Sequence, residues 1–371
     1  MSLAYGKPMH SEITLTEFLD RHGERALLAL ASLMAAFFIS FLMVLSQAAG
    51  ALAQETAQNS GPESCSGSNL IAKYAAEEPE KLAALKAEAK GEANGNAVFW
   101  KIEKDGVAPS WLLGTMHMAD ARIARLDGAR SKAFDAAHTV VVENIEALDQ
   151  AQASAAMLQF KDMTLYTDGS TLADRLDENS LILLRQAVEA RGVPFAMAQV
   201  MRPWLVATMV ALPACELAEK RSGKPVLDGL IAKRAKVEGK NLIGLETIGE
   251  QFGAMAALPE SFHLEALKET LKMGNLAEDV LETMKQLYLA GDIGMILPLT
   301  KAVSPKSAAS RDYDDFKEKL ITSRNRHMAE RALPYLEQGN AFIAVGALHL
   351  PGETGLVAAF QEAGYQVSPA E

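Results

Sequence analysis

Residues 340–349 read NAFIAVGALH, and the fold turns on them. From Asn340 to Gly346 the run is short and apolar, with β-branched residues at Ile343 and Val345, and is expected as a buried strand. Gly346 permits a sharp backbone departure that a Cβ would obstruct. His349 follows three positions later. Residues 111–117, WLLGTMH, repeat the design: an apolar strand runs into Gly114, and His117 follows three positions later. A strand that ends in this way delivers its histidine to the crevice beyond the strand ends, where open α/β sheets place ligands.

Working outward, further strands are expected at residues 97–103 (AVFWKIE), 138–143 (HTVVVE), 241–246 (NLIGLE) and 365–367. Lys104-Asp105-Gly106 forms a hairpin turn into a return strand at 109–114. Helical spacing covers 68–92, with Asn69 as a cap, and much of 145–240, notably 172–175, 180–191 and 204–212. It resumes at 247–257, 261–297 and 313–338, with a loop at 301–311 between the last two. A final helix starts at Glu353 or Thr354 and is capped by Gly364. Strands flanking a long helical insertion give a mixed α/β (α+β) fold, a central mixed sheet flanked by helices.

The 371 residues are 49% hydrophobic and 22% charged, with a net charge of −11. That composition excludes a disordered chain. With 26 Gly and 2 Cys, collagen-like and disulfide-scaffold chains are excluded too. The acidic balance argues against a nucleic-acid partner. Residues 26–45 are uncharged and apolar, long enough for a helix to span a bilayer core. Arg21 and Arg25 precede them, and no Lys or Arg follows until Lys73, so the rest of the chain is expected on the exported side. Ala51-Leu52-Ala53 suits signal cleavage, although the apolar run is longer than a usual signal core. Residues 1–53 are therefore a signal peptide or an N-terminal membrane anchor, the chain's only membrane contact. Residues 54–67 are a linker, and 68–371 are one domain with its helical insertion at about 145–240. The expected location is the periplasm, free or anchored to the inner membrane. Cys65 and Cys215 are expected to pair there, with two unpaired thiols as the alternative.

Two imidazoles brought to one cleft are the start of a metal site. Glu143 ends HTVVVE, so a carboxylate stands at a strand tip as third ligand or as the base that deprotonates a water. Glu246 ends NLIGLE in the same manner. Arg324 shares a helix face with Leu320 and Met328. An arginine there is paired, is functional, or snorkels at the edge of the stripe. Asn325 lies beside it. His138, His263 and His327 lack the strand–glycine context and read as surface or capped residues.

The segments WLLGTMHMAD (111–120), VVVEN (140–144), LDGLIAKRA (227–235), GLETIGEQ (244–251), RNRHMAE (324–330) and VGALHLPGETGLVAAFQEAGYQV (345–367) resemble the TraB/GumN family, related to the Tiki metalloproteases. The resemblance covers nearly all of the chain after the leader. Met116 and Phe360 depart from the family's usual branched aliphatic residue and leucine. The resemblance implies a fold like that of the erythromycin esterases and haem-binding lipoproteins. It implies a metal centre at His117 and His349, an acidic partner at Glu143, and a functional pair at Arg324 and Asn325. The expected function is exported, metal-dependent hydrolysis of a peptide or protein, with Mn²⁺, Co²⁺ or Zn²⁺ as the divalent ion. In it, Arg324 orients a carboxylate or stabilises an oxyanion, and Asn325 bonds substrate or water. The alternatives are a metal-free ester hydrolase, with one histidine as general base, and a non-catalytic binding protein for a peptide signal or haem.

Overall fold

The computed structural model describes residues 65–303 and 311–370. The expected leader, residues 1–53, the linker up to residue 64 and most of the 301–311 loop lie outside the described residues. Among the described residues no helix is long and apolar enough to cross a membrane.

Six strands form one sheet: β1 (Phe99–Lys104), β2 (Val107–Thr115), β3 (Thr139–Val142), β4 (Asn241–Gly244), β5 (Ala341–Gly346) and β6 (Gln366–Pro369). Their order is β4-β3-β5-β2-β1-β6. The first four in that order are mutually parallel, and β1 is antiparallel to both β2 and β6, so the sheet is mixed as expected. Asp105 and Gly106 make the two-residue turn between β1 and β2, with Gly106 at φ 78°. His138, Glu143 and Glu246 fall just outside the strands their segments form.

β5 is buried along its whole length because both faces are covered. Phe342 and Ala344 face one core with Val140, Val142 and Leu113, under α3 (Gly128–Ala136) and α6 (Leu227–Val237). Ala341, Ile343 and Val345 face the larger core on the other side, beneath the remaining helices. The two-residue period of the strand is hidden in the sequence because neither face meets water.

The predicted helix at 68–92 is two, α1 (Leu70–Glu77) and α2 (Pro79–Gly91), since Pro79 cannot donate into a continuing helix. Asn69 caps α1 through bonds from the Ile71 and Ala72 amides. Within the insertion, α4 (Pro203–Ala211) and α5 (Ala214–Arg221) lead to α6. Residues 172–175 reduce to a single 3₁₀ turn, Leu172–Asp174. After β4 come α7 (Ile248–Ala256), α8 (Glu260–Met273) and α9 (Leu276–Leu289), the last two divided at Gly274, whose φ is 52°. The long late helix begins at Arg311, passes through a π-helical segment, Glu318–Thr322, and continues as α10 (Ser323–Gln338). The final helix, α11 (Leu356–Glu362), starts later than predicted because Gly355 occupies its N-cap.

Parallel strands fix where function can sit. A helix that returns the chain to the start of the next parallel strand must begin at the carboxyl ends of the strands. α6 feeds β4 and α10 feeds β5, so the first turn of α6 and the turn after the π-helical segment, where α10 continues, join the tips of β2, β3, β4 and β5 at one rim.

Candidate functional site

The rim gathers His117, Glu143, Glu246, Arg324, Asn325 and His349, and all six are buried. The two glycines make this possible by leaving space. Gly346 has φ −52°, which any residue adopts, but a Cβ there would stand 3.3 Å from Glu143 Oε2 and 3.5 Å from the His349 ring. A Cβ on Gly114 would meet Ala347 Cα and Leu350 Cδ2 at 3.0 Å. Thus Gly346 leaves room for both the Glu143 carboxylate and the His349 ring, and Gly114 lets the segment carrying His349 lie against β2.

Each histidine is held through Nδ1. His117 Nδ1 lies 2.6 Å from Asp228 Oδ2, and Asp228 Oδ1 accepts the Thr115 hydroxyl at 2.5 Å. His349 Nδ1 lies 2.5 Å from Asn325 Oδ1, while the Asn325 amide nitrogen donates to the Thr354 carbonyl at 2.8 Å. That second bond fixes which end of the amide faces His349, so the ring must donate from Nδ1. Both rings therefore carry a proton on Nδ1 and, when neutral, keep the electron pair on Nε2. His117 Nε2 is fully buried and meets no hydrogen-bond partner among the described residues.

Arg324 is paired, so it does not snorkel. Its Nε bonds Glu246 Oε1 at 2.9 Å, and its Nη2 bonds Glu246 Oε2 and Glu143 Oε1 at 2.6 Å each. Nη1 reaches the Leu320 carbonyl at 3.3 Å, inside the π-helical segment. Such widened turns recur at functional sites. Glu143 also accepts Gln251 Nε2 on Oε1 at 2.9 Å and the Gly346 amide on Oε2 at 3.0 Å. Gln251 lies on α7, whose start is fixed by the Thr247–Glu250 capping box.

These contacts set the charges. Burial raises the Glu143 carboxyl above its ordinary value and Glu246 adds to this, against the opposing pull of Arg324. Burial works against a charged Arg324, but Glu246 and Glu143 hold it firmly protonated. Burial likewise opposes charge on His117, yet the Asp228 carboxylate leaves its pKa raised. His349 faces a neutral amide, and burial with the nearby Arg324 holds it well below the usual histidine value. The two imidazoles are chemically unequal although their sequence motifs match.

Among the described residues no group of three or more His, Cys, Asp or Glu side chains forms a ready metal cage. The rim does bring two imidazoles and the Glu143 carboxylate together, residue types whose chemistry suits Mn²⁺, Co²⁺ or Zn²⁺. A ring nitrogen bonded to a carboxylate or carbonyl is the usual support of a metal-ligating histidine. Beyond the rim, a cleft of about 230 Å³ lies between residues 119–122 and the Glu216–Glu219 face of α5. The Ala119 amide donates to Glu216 Oε1 at 2.6 Å, two residues after His117.

The predicted Cys65–Cys215 disulfide is formed, with the Cα atoms 5.4 Å apart. It joins the segment before α1 to the start of α5. His138 and His327 are exposed as expected, but His263 is buried, its Nε2 donating to the Met255 carbonyl at 2.9 Å. Sequence reasoning missed Thr115, Asp228 and Gln251. Asp228 carried one signal: a carboxylate one residue into an apolar helix start, where the helix dipole alone would explain it.

The model of the TraB/PrgY/gumN family matches residues 98–369, which include all six strands and omit α1 and α2. Among curated proteins, the chain is 25% identical over 319 residues to "Metalloprotease TIKI1" of Danio rerio, spanning 73% of this chain and 63% of that protein. It is 24% identical over 322 residues to "Metalloprotease TIKI homolog" of Nematostella vectensis, spanning 74% and 67% of the two chains. It is 23% identical over 327 residues to "Metalloprotease TIKI2" of Xenopus tropicalis, spanning 75% and 60%. The chain thus spans somewhat less than two thirds of the first of these relatives. No solved structure matches it.

Proposed function

The chain belongs to the TraB/PrgY/gumN family, and on that premise we propose that it is an exported, metal-dependent hydrolase of peptide bonds. The observation that carries this reading is the pair of imidazoles at neighbouring strand tips, each engaged through Nδ1, with the Glu143 carboxylate buried at the same rim and bonded to the Gly346 amide. His117 and His349 would hold the divalent ion, with Glu143 as third ligand or as base. Such an ion supplies Lewis acidity toward an amide carbonyl and makes nearby water more acidic.

The protein's own groups do the rest. Glu143 takes the proton of the attacking water at Oε2, and burial makes it a stronger base than an exposed carboxylate. Arg324 keeps Glu143 aimed by holding Oε1, while Glu246, which bonds Nε and Nη2, already balances the single charge of the guanidinium. Asn325 holds His349 through its amide oxygen, which makes it a positioning residue.

The test is metal content and peptidase activity of the purified protein beside the His117→Ala/His349→Ala variant. Stoichiometric Mn²⁺, Co²⁺ or Zn²⁺ and peptide hydrolysis, both lost in the variant, are expected. Unchanged metal and activity in the variant would overturn the proposal. The His117–Asp228 pair also favours a second reading, metal-free hydrolysis with His117 as general base. Activity that survives chelation and still requires His117 would select it.

A further inference from the structure

His117 can offer an electron pair at Nε2 only while its ring proton stays on Nδ1. Asp228 Oδ2 holds that proton, and Thr115 occupies the other carboxylate oxygen. Thr115, Asp228 and His117 are all buried, so each donor must meet an acceptor inside this group. Asp228 comes from the first turn of α6 and Thr115 from the last position of β2, so two separately packed elements converge on one imidazole.

We propose that Asp228 fixes the His117 tautomer by accepting from Nδ1, while the Thr115 hydroxyl holds the other carboxylate oxygen and would decide the tautomer only if an amide stood at position 228. This makes Asp228 the positioning residue, and the inference rests on the reading of His117 as a residue of the site. The tautomer follows from donor counting. A carboxylate accepts from both neighbours, so the imidazole donates from Nδ1. An Asn at position 228 has one acceptor and one donor end. Turning its oxygen to the Thr115 hydroxyl satisfies that donor and points its NH₂ at His117 Nδ1. The ring proton must then move to Nε2, which removes the electron pair. The opposite amide orientation would leave the Thr115 hydroxyl buried with no acceptor among the described residues, where Asp228 is its partner.

The experiment is ¹⁵N NMR of the His117 ring in the metal-free protein, on the alkaline side of its titration, with Zn²⁺ affinity measured by chelator competition. Four proteins are compared: wild type, Thr115→Val, Asp228→Asn and the double variant. Wild type should show an unprotonated Nε2, and Asp228→Asn a protonated one. Zn²⁺ affinity should fall about 10- to 100-fold in Asp228→Asn. Thr115→Val alone should change affinity by less than about threefold. In the double variant valine frees the amide to turn its oxygen to His117, so affinity should recover about tenfold over Asp228→Asn, since coupled groups are not additive. Mere loss of structure would make the double variant the worst of the four. A protonated Nε2 in wild type overturns the proposal without any variant, as does a double variant no better than Asp228→Asn. If wild type binds no Zn²⁺, the hydrolase reading fails while the ring signals still decide this one.

Discussion

Arg324 meets two carboxylates with one guanidinium, all three groups being at least nine-tenths buried. Removing one partner from such a cluster is costly because the others stay buried without compensation. Arg324→Met should therefore destabilise the protein by about 3–5 kcal/mol in urea unfolding. Arg324→Lys should not restore it, since an ammonium cannot span Glu246 and Glu143 with the same planar fork. A variant as stable as wild type would refute this account. Gly346→Ala tests another feature of the same residues. The backbone there tolerates a Cβ, but the methyl would press on Glu143 Oε2 while only touching the His349 ring. Stability should change by no more than about 1 kcal/mol, while peptide hydrolysis and Zn²⁺ affinity each fall at least about tenfold. Equal loss of stability and function would show that the glycine serves the fold alone.

At the scale of elements, α8 supplies a pH-dependent contribution far from the rim. His263 is buried there, donates to the last turn of α7, and is pushed down by burial to about 4. An unfolded chain protonates this histidine near 6.5. Above that pH neither state binds the proton and the residue adds no pH dependence. Between about 6.5 and 4 the unfolded state binds it and the folded state does not, so stability falls as pH falls, by about 3 kcal/mol in total. His263→Gln should remove this acid-side slope from denaturant midpoints. A slope identical to wild type would place the acid sensitivity elsewhere. α6 and α10 show how elements make a site. α6 brings Asp228 to the rim in its first turn, whereas α10 brings Arg324 and Asn325 where it continues from the π-helical segment.

Across the whole molecule, the Cys65–Cys215 bridge closes a loop with a sequence separation of 150 and ties the N-terminal segment to α5. Near the bridge, the Ser68 amide donates to Asp279 Oδ1 at 2.6 Å, so α1 is anchored on α9 as well. Reduction, or the Cys65→Ser/Cys215→Ser variant, should cost about 2–5 kcal/mol and lower Tm. An unchanged Tm would mean that packing alone holds this segment. Much of this architecture was legible in the chain. Apolar runs ending in Gly-x-x-His marked β2 and β5, and the acidic ends of 138–143 and 241–246 marked two more tips, because a buried strand and a polar tip leave a local pattern. The π-helical segment before Arg324 and the break at Glu78–Pro79 were harder to see, one being set by packing and the other by a single proline within a helical pattern. By itself the sequence determined the strands, the mixed fold and the histidines that follow two of the strands, since each follows from residue type and spacing along the chain, while it left the cysteine pair open against two free thiols. Only the tertiary structure decided that Asp228 holds one histidine and Asn325 the other, that Arg324 binds Glu143 and Glu246, and that the two imidazoles are unequal. The sequence separations behind these contacts run from 24 to 181, and nothing in local periodicity records which side chains meet once parallel strands bring their tips to one rim.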